Sequence, residues 1–208
     1  MGGTNTGPEV AKVKSICILG PPGSGKSTLC RLALASPRDT DYTHLSVGDY
    51  LREICSEWKR GEMKTDVDYD VLAEHLRENK LLPADVLIPL LKKRMGEHGQ
   101  RFETCWLIDG FPRTPQTARA FDAIIGRPVK VIILECARSV AETRFLSRRR
   151  EASDDKKRFD KRYDEYMENM KAIRVYYEDI IETTYTDRPQ GEYLADFVRA
   201  LDSAHEDR

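Results

Sequence analysis

At 208 residues and 23.9 kDa, with 40% hydrophobic and 33% charged residues, the chain suits one soluble domain with a sizeable core. A net charge of −1 excludes a general nucleic-acid binder, and no apolar run approaches the ~20 residues of a membrane-spanning helix. Five cysteines, an odd number without a Cys-x2-Cys pair, and four histidines without ligand spacing predict reduced thiols, a cytoplasmic setting and no zinc site.

In chain order, residues 1–13 are Gly-rich and polar and are expected to be a disordered N-terminal segment. They carry Met1-Gly2-x3-Thr6, a short match to the N-myristoylation pattern with no second anchor nearby. Ser15 to Gly20, "SICILG", reads as a buried strand. The glycine-rich "GPPGSGKST", Gly20 to Thr28, follows, and then a helix with Leu29, Leu32 and Ala33 on one face. A brief strand is predicted near Thr43–Leu45, a helix from about Gly48, and further helices over 66–80 and 83–95, with Pro83 at a first helical position. Thr104 to Arg113, "TCWLIDGFPR", begins as a buried strand and breaks at Gly110. Val129 to Cys136 is a strand rich in β-branched residues, followed by the helix "ARSVAETRFLSRRR". A long charged helix over 156–182, a weak strand near Thr183–Thr186 and a final helix over 190–203 complete the chain. Strands alternating with helices predict an α/β fold whose parallel sheet is covered on both faces.

The spacing Gly20-x4-Gly25-Lys26-Ser27 between a strand and a helix fits a P-loop. There, glycines let backbone N–H groups turn around phosphate oxygens, and the helix N-terminus adds its positive end. Gly23, Ser24, Gly25, Lys26, Ser27 and Thr28 are thus candidate ATP-binding residues, with Lys26 reaching the terminal phosphates and a hydroxyl for Mg²⁺. Asp109 ends an apolar strand, where a P-loop fold keeps its metal-orienting carboxylate. Between Arg144 and Arg162 stand nine basic residues against four acidic ones, a local excess that suits a small polyanion or, alternatively, a solvated helix face. With Arg52 and Arg113 added, there is more guanidinium than one triphosphate needs, which points to two phosphorylated substrates.

"GPPGSGKST", "YTHLSVGDYLRE", "NKLLPADVL", "LIDGFPRTPQ" and "RFLSRRREASDDKKRFDKR" occur in the order and approximate spacing of the nucleoside monophosphate kinases, so the chain resembles the adenylate kinase and UMP-CMP kinase family from about Ser15 to Leu201. The resemblance implies a P-loop NTPase three-layer fold over 14–208, with a five-stranded parallel sheet, a helical monophosphate-binding insert at 47–83 and a short lid at 148–160. It implies a monomeric enzyme that transfers the γ-phosphoryl of MgATP to a nucleoside monophosphate, UMP/CMP or AMP. By the same resemblance Lys26 touches the β and γ phosphates, Arg52 and Arg113 hold the acceptor phosphate, Arg148 and Arg162 close over the transferring group, and Arg144 stacks on the adenine. Ser46, Val47, Gly48, Leu82, Gly110 and Gln116 would line the acceptor.

The chain departs from the family at four places. Ser27-Thr28 stand where Gly-Thr is usual, so either hydroxyl can serve the metal. Val47 replaces a common Thr, which favours UMP or CMP, whereas "GFPRTPQ" favours AMP. Gln116 stands three residues after Arg113, while the family's base-reading amide stands four after, at the position of Thr117. The lid lacks glycines, so Arg149 or Arg150 takes over an arginine normally placed among them. A small-metabolite kinase of shikimate or gluconate type would need a base to activate a hydroxyl, and none is apparent in the sequence. A catalytically weak nucleotide-binding regulator on the same fold is the alternative from another class.

Overall fold

Alternate residues of each strand divide the core of this computed structural model into two apolar layers; the structure describes residues 13–35, 42–62, 69–78, 80–98, 104–148 and 155–204. The strands are β1 (Lys14–Leu19), β2 (Tyr42–Ser46), β3 (Cys105–Asp109), β4 (Lys130–Glu135) and β5 (Ile181–Tyr185), all parallel in the order β2-β3-β1-β4-β5. Ile16, Ile18, Cys105, Leu107, Ile132 and Leu134 point to α1 (Lys26–Leu34) and α8 (Gln190–Ser203). Their neighbours Cys17, Leu19, Trp106, Ile108, Val131 and Ile133 point the other way. They meet α2 (Val47–Lys59), α3 (Tyr69–Arg77), α4 (Ala84–His98), α5 (Pro115–Ile124) and α7 (Lys156–Tyr176). The period-2 pleat therefore builds three layers, as the runs of apolar residues imply. A smaller cluster, Ala141, Phe145 and Phe159, joins α6 (Arg138–Ser147) to α7.

The structure departs from the sequence reading in detail. Helix α5, which the sequence reading leaves unassigned, buries Thr117, Ala118 and Phe121 on one face, and its start is chemically marked. Thr114 is the N-cap, accepting the Thr117 N–H at 3.1 Å while its own N–H donates to Thr117 Oγ1 at 3.2 Å, and Pro115 takes the first helical position. The long helix expected over 156–182 stops at Tyr176, because Tyr177 leaves helical geometry, buries its ring and donates its hydroxyl to Asp122 Oδ1 at 2.7 Å. A 3-10 turn over Glu178–Ile180 then leads to β5, two residues earlier than expected. Of the expected 66–80 helix, Tyr69–Arg77 is helical and residues 66–68 lie outside the described residues, while α4 runs to His98 rather than 95. Pro83 precedes α4, its carbonyl accepting the Leu87 N–H at 3.0 Å. Residues 1–12 and 149–154, which include all but Val13 of the expected disordered segment and the centre of the expected lid, lie outside the described residues. Residues 156–160 form the first turn of α7.

Candidate active site

β1 delivers the chain into the Gly20–Gly25 loop, and α1 begins at Lys26. Gly23 has φ 86°, and a Cβ there would meet the Ala141 carbonyl oxygen at 2.0 Å, so both conformation and space demand glycine. Gly20, with φ 150°, sits similarly against the Leu134 carbonyl, at 2.7 Å from a Cβ. Gly25 caps α1 without a side-chain acceptor, and no acidic residue lies in the first turn. The N–H groups of that turn are therefore presented to an anion at the positive end of the helix.

Lys26 bends back over this loop. Its Nζ donates to the carbonyls of Gly20 at 2.8 Å and Pro21 at 2.9 Å, and to Ser24 Oγ at 3.2 Å. Burial lowers its pKa to about 8; Arg113, Arg162 and Arg148 push the same way and Asp109 opposes them. Asp109, 3% exposed at the end of β3, accepts the Ser27 hydroxyl at 2.5 Å. Burial by itself would raise its carboxyl, but the polar contact with His44, the charge of Lys26 and the Ser27 bond outweigh it and hold the pKa below the ordinary value. Thr28, one residue on, is exposed. Of the two hydroxyls, that of Ser27 is the one beside the carboxylate.

The arginines surround this pair on separate supports. Arg113 Nε donates to the Gly110 carbonyl at 3.0 Å, curling the side chain over its own turn. Arg113 is exposed; its pKa is lowered, with desolvation as the leading cause, and Arg52 and Arg148 add to the effect while Asp109 and Glu165 oppose it. Arg52 lies over Gly48, and its Nη2 is 2.5 Å from Asp49 Oδ1. Arg148 and Arg162 share one aromatic platform, with their guanidinium carbons 4.1 and 5.8 Å from the centre of the Phe145 ring. Phe145 is braced by Phe159 at 5.5 Å, and Asp155 caps α7 by accepting the Arg158 N–H at 2.8 Å. Lys26, Asp109, Arg52, Arg113, Arg148 and Arg162 thus form one electrostatically coupled group.

Arg144 stands to one side, donating to the Thr186 carbonyl at 2.7 Å with its guanidinium 5.7 Å from the Tyr193 ring. Ser46 precedes α2 as its N-cap, and Val47 and Leu82 are buried in the same apolar cluster. Gln116 is exposed at the second position of α5, whereas Thr117 is buried and committed to the cap. Arg149 and Arg150 lie outside the described residues.

Three residues near the group escaped the sequence reading as site residues. Asp49 pairs with Arg52, and its i,i+3 spacing was visible. Glu165, on the same face of α7 as Arg162, has its pKa raised by burial against the pull of Arg113. His44 reaches Asp109 only through the β2–β3 pairing.

Chemically, the group can surround a polyphosphate with positive charge and offer a few hard oxygens to a cation. Among the described residues no three His, Cys, Asp or Glu side chains gather into a metal cage. No helix among them is long and apolar enough to cross a membrane.

Residues 18–182 match the family model for adenylate kinase. UMP-CMP kinase 1 of Oryza sativa subsp. japonica is 32% identical over 174 residues, 82% of this chain and 66% of the relative. UMP-CMP kinase of Danio rerio is 30% identical over 202 residues, covering 92% of this chain and 98% of the relative. Adenylate kinase isoenzyme 1 of Cyprinus carpio is 28% identical over 200 residues, covering 93% and 97%. The chain therefore spans about two thirds of the rice protein and nearly all of the two fish proteins.

Proposed function

The chain belongs to the adenylate kinase family of ATP-dependent phosphotransferases, and from that premise we propose that it transfers the γ-phosphoryl of MgATP to a pyrimidine nucleoside monophosphate, UMP or CMP, with AMP as the competing acceptor. The observation that carries this reading is the Ser27–Asp109 hydrogen bond of 2.5 Å at the mouth of the glycine loop, ringed by Lys26 and four arginines.

A hydroxyl and a carboxylate at an uncapped helix N-terminus fit Mg²⁺, which takes one or two protein oxygens and completes its shell with phosphates and water. When bound with the nucleotide, the ion neutralises and orients the transferring phosphate. The protein's own part is positioning. The loop amides hold the donor chain, and Lys26 exchanges its backbone carbonyls for phosphate oxygens. Arg52 and Arg113 uncurl from Asp49 and Gly110 onto the acceptor phosphate. Arg148 and Arg162, fixed on Phe145, meet the charge that spreads over the phosphoryl group in the transition state. An acceptor phosphate is already ionised at neutral pH, so the chemistry needs no general base. We assign residues 47–83 to the acceptor insert and 148–160 to the lid.

Val47 favours a pyrimidine acceptor, because with Leu82 it offers the base an apolar wall without a hydroxyl. The test is an ADP-release assay with AMP, UMP, CMP, GMP and their deoxy forms at fixed MgATP. UMP and CMP are expected to give the highest kcat/KM. A preference for AMP would move the acceptor assignment, and turnover with none of them would overturn the kinase reading.

A further inference from the structure

His44 Nε2 is shielded from solvent and has no hydrogen-bond partner among the described residues. It lies 3.5 Å from Asp109 Oδ2, the oxygen that already accepts from Ser27. Strand register explains the approach. On β2 and β3, residues 42, 44 and 46 lie opposite 105, 107 and 109, and Tyr42, Cys105 and Leu107 of this series face α1. His44 and Asp109 therefore share the sheet face on which Ser27 begins α1. The imidazole also borders a cavity of about 290 Å³ lined by Ser27, Thr43, Ser46 and Trp106 among others, which leaves the ring room to shift by a few tenths of an ångström.

A ring nitrogen bearing a lone pair and a carboxylate oxygen, both removed from water, repel each other. The tautomer consistent with this geometry carries its proton on Nε2. We propose that His44 is a positioning residue for Asp109: its Nε2–H is the second donor to Oδ2, and together with the Ser27 hydroxyl it fixes the rotation of the carboxylate and leaves Oδ1 to the nucleotide-borne Mg²⁺. With Ser27 as the sole donor, the carboxylate can turn about its Cβ–Cγ bond and present either oxygen. A group that orients a metal-facing ligand in this way typically contributes about 10–100-fold in metal affinity or activity. The inference rests on the kinase reading for its kinetic consequence, but nucleotide binding tests it separately.

The experiment compares the full chain with His44→Ala, His44→Gln and His44→Asn. Calorimetry gives the affinity for ADP with and without Mg²⁺, and steady-state assays give kcat and the acceptor KM. A Gln amide nitrogen reaches roughly the place of Nε2, whereas that of Asn reaches only the Nδ1 level. His44→Ala is expected to bind ADP alone within about twofold of wild type, to lose about tenfold of the Mg²⁺-dependent gain, and to lose about tenfold in kcat at unchanged acceptor KM. His44→Gln should recover most of both losses and His44→Asn neither. Should the Ala variant not fold, the contrast between Gln and Asn decides. A folded Ala variant with the full Mg²⁺ gain, or Gln and Asn variants equally impaired, would overturn the proposal. If wild type itself phosphorylates no monophosphate, the kinase reading fails, while the Mg²⁺ gain in ADP affinity still reports on His44.

Discussion

The glycine loop at 20–28 and the arginine turn at 110–117 both follow a buried parallel strand, yet they hold their working side chains in opposite ways. In the loop, Ser24 is buried, Gly23 fills a space that admits no Cβ, and Lys26 makes three hydrogen bonds. In the turn, the Thr114–Thr117 cap secures the backbone, but Arg113 makes its one described bond to Gly110 and Gln116 stands exposed. The loop is preorganised for one chemical task, because its groups have few other places to go. The turn is a firm backbone carrying side chains that can be redirected, which suits a region that chooses among acceptors. Substitutions in the loop should therefore abolish the reaction, and those in the turn should grade it.

The largest effect is expected from Lys26→Ala, which removes a preorganised charge from the transition state. kcat/KM should fall by on the order of 10³ or more with the fold intact. Comparable turnover in a folded variant, checked by circular dichroism, would erase the distinction between loop and turn. Arg113→Ala should cost about 10²-fold and divide between acceptor KM and kcat, since a group that holds the acceptor phosphate also aligns it. If only the KM for ATP changed, Arg113 would belong with the loop.

A pH experiment sharpens the loop side. The pKa of Lys26 is lowered from 10.5 to about 8, so between those values the unfolded chain binds more protons than the folded one. The cost of burying its ammonium is therefore fully present below about pH 8 and is relieved as pH climbs toward 10.5. Binding an anionic nucleotide should pull the pKa back up. Calorimetry at pH 8.5 in buffers of different ionisation heat should then show proton uptake on ATP binding, and affinity should fall by at most tenfold per pH unit above 8. Lys26→Arg, which keeps its charge, should show neither effect. Proton uptake that persists in this variant would assign the titration elsewhere.

The same contrast explains what the sequence could reveal. The loop is legible because its glycines, lysine and hydroxyl are contiguous, and the flanking strand and helix are marked by their own periodicities. Asp109 was within reach because it closes an apolar run. His44 and Asp109 are 65 residues apart in sequence, and only the pairing of Ser46 with Asp109 across β2 and β3 brings their neighbourhood together. Helix α5 is legible but unassigned in the sequence reading: Thr117, Ala118 and Phe121 fall at i, i+1 and i+4 on one buried face, and Thr114-Pro115 marks its start. Tyr177 ends α7 through a tertiary bond to Asp122, a stop signal that no local breaker residue announces.

The smallest expected effect lies at the base reader. Family register places a reading amide where this chain has Thr117, but Thr117 is 3% exposed, and its hydroxyl donates to the Thr114 carbonyl at 2.9 Å while accepting the Thr114 N–H. That side chain is occupied with starting α5, so on the proposed function the reading amide is assigned to Gln116, one position earlier and exposed. An exposed amide replaces hydrogen bonds to water when it meets a base, which puts its net worth near 1 kcal/mol, or about fivefold, at the low end for such a bond. Gln116→Ala should therefore compress the ranking of UMP, CMP and AMP by about fivefold in kcat/KM, leaving the KM for ATP and the melting temperature nearly unchanged. Thr117→Val should do the converse, losing about 1 kcal/mol of stability with the cap while keeping the acceptor ranking. If Thr117→Val compresses the ranking and Gln116→Ala does not, the turn reads its base in family register despite the cap. If neither substitution moves the ranking, the wall formed by Val47 and Leu82 selects the acceptor by shape, and a Val47→Thr variant should then shift preference toward AMP.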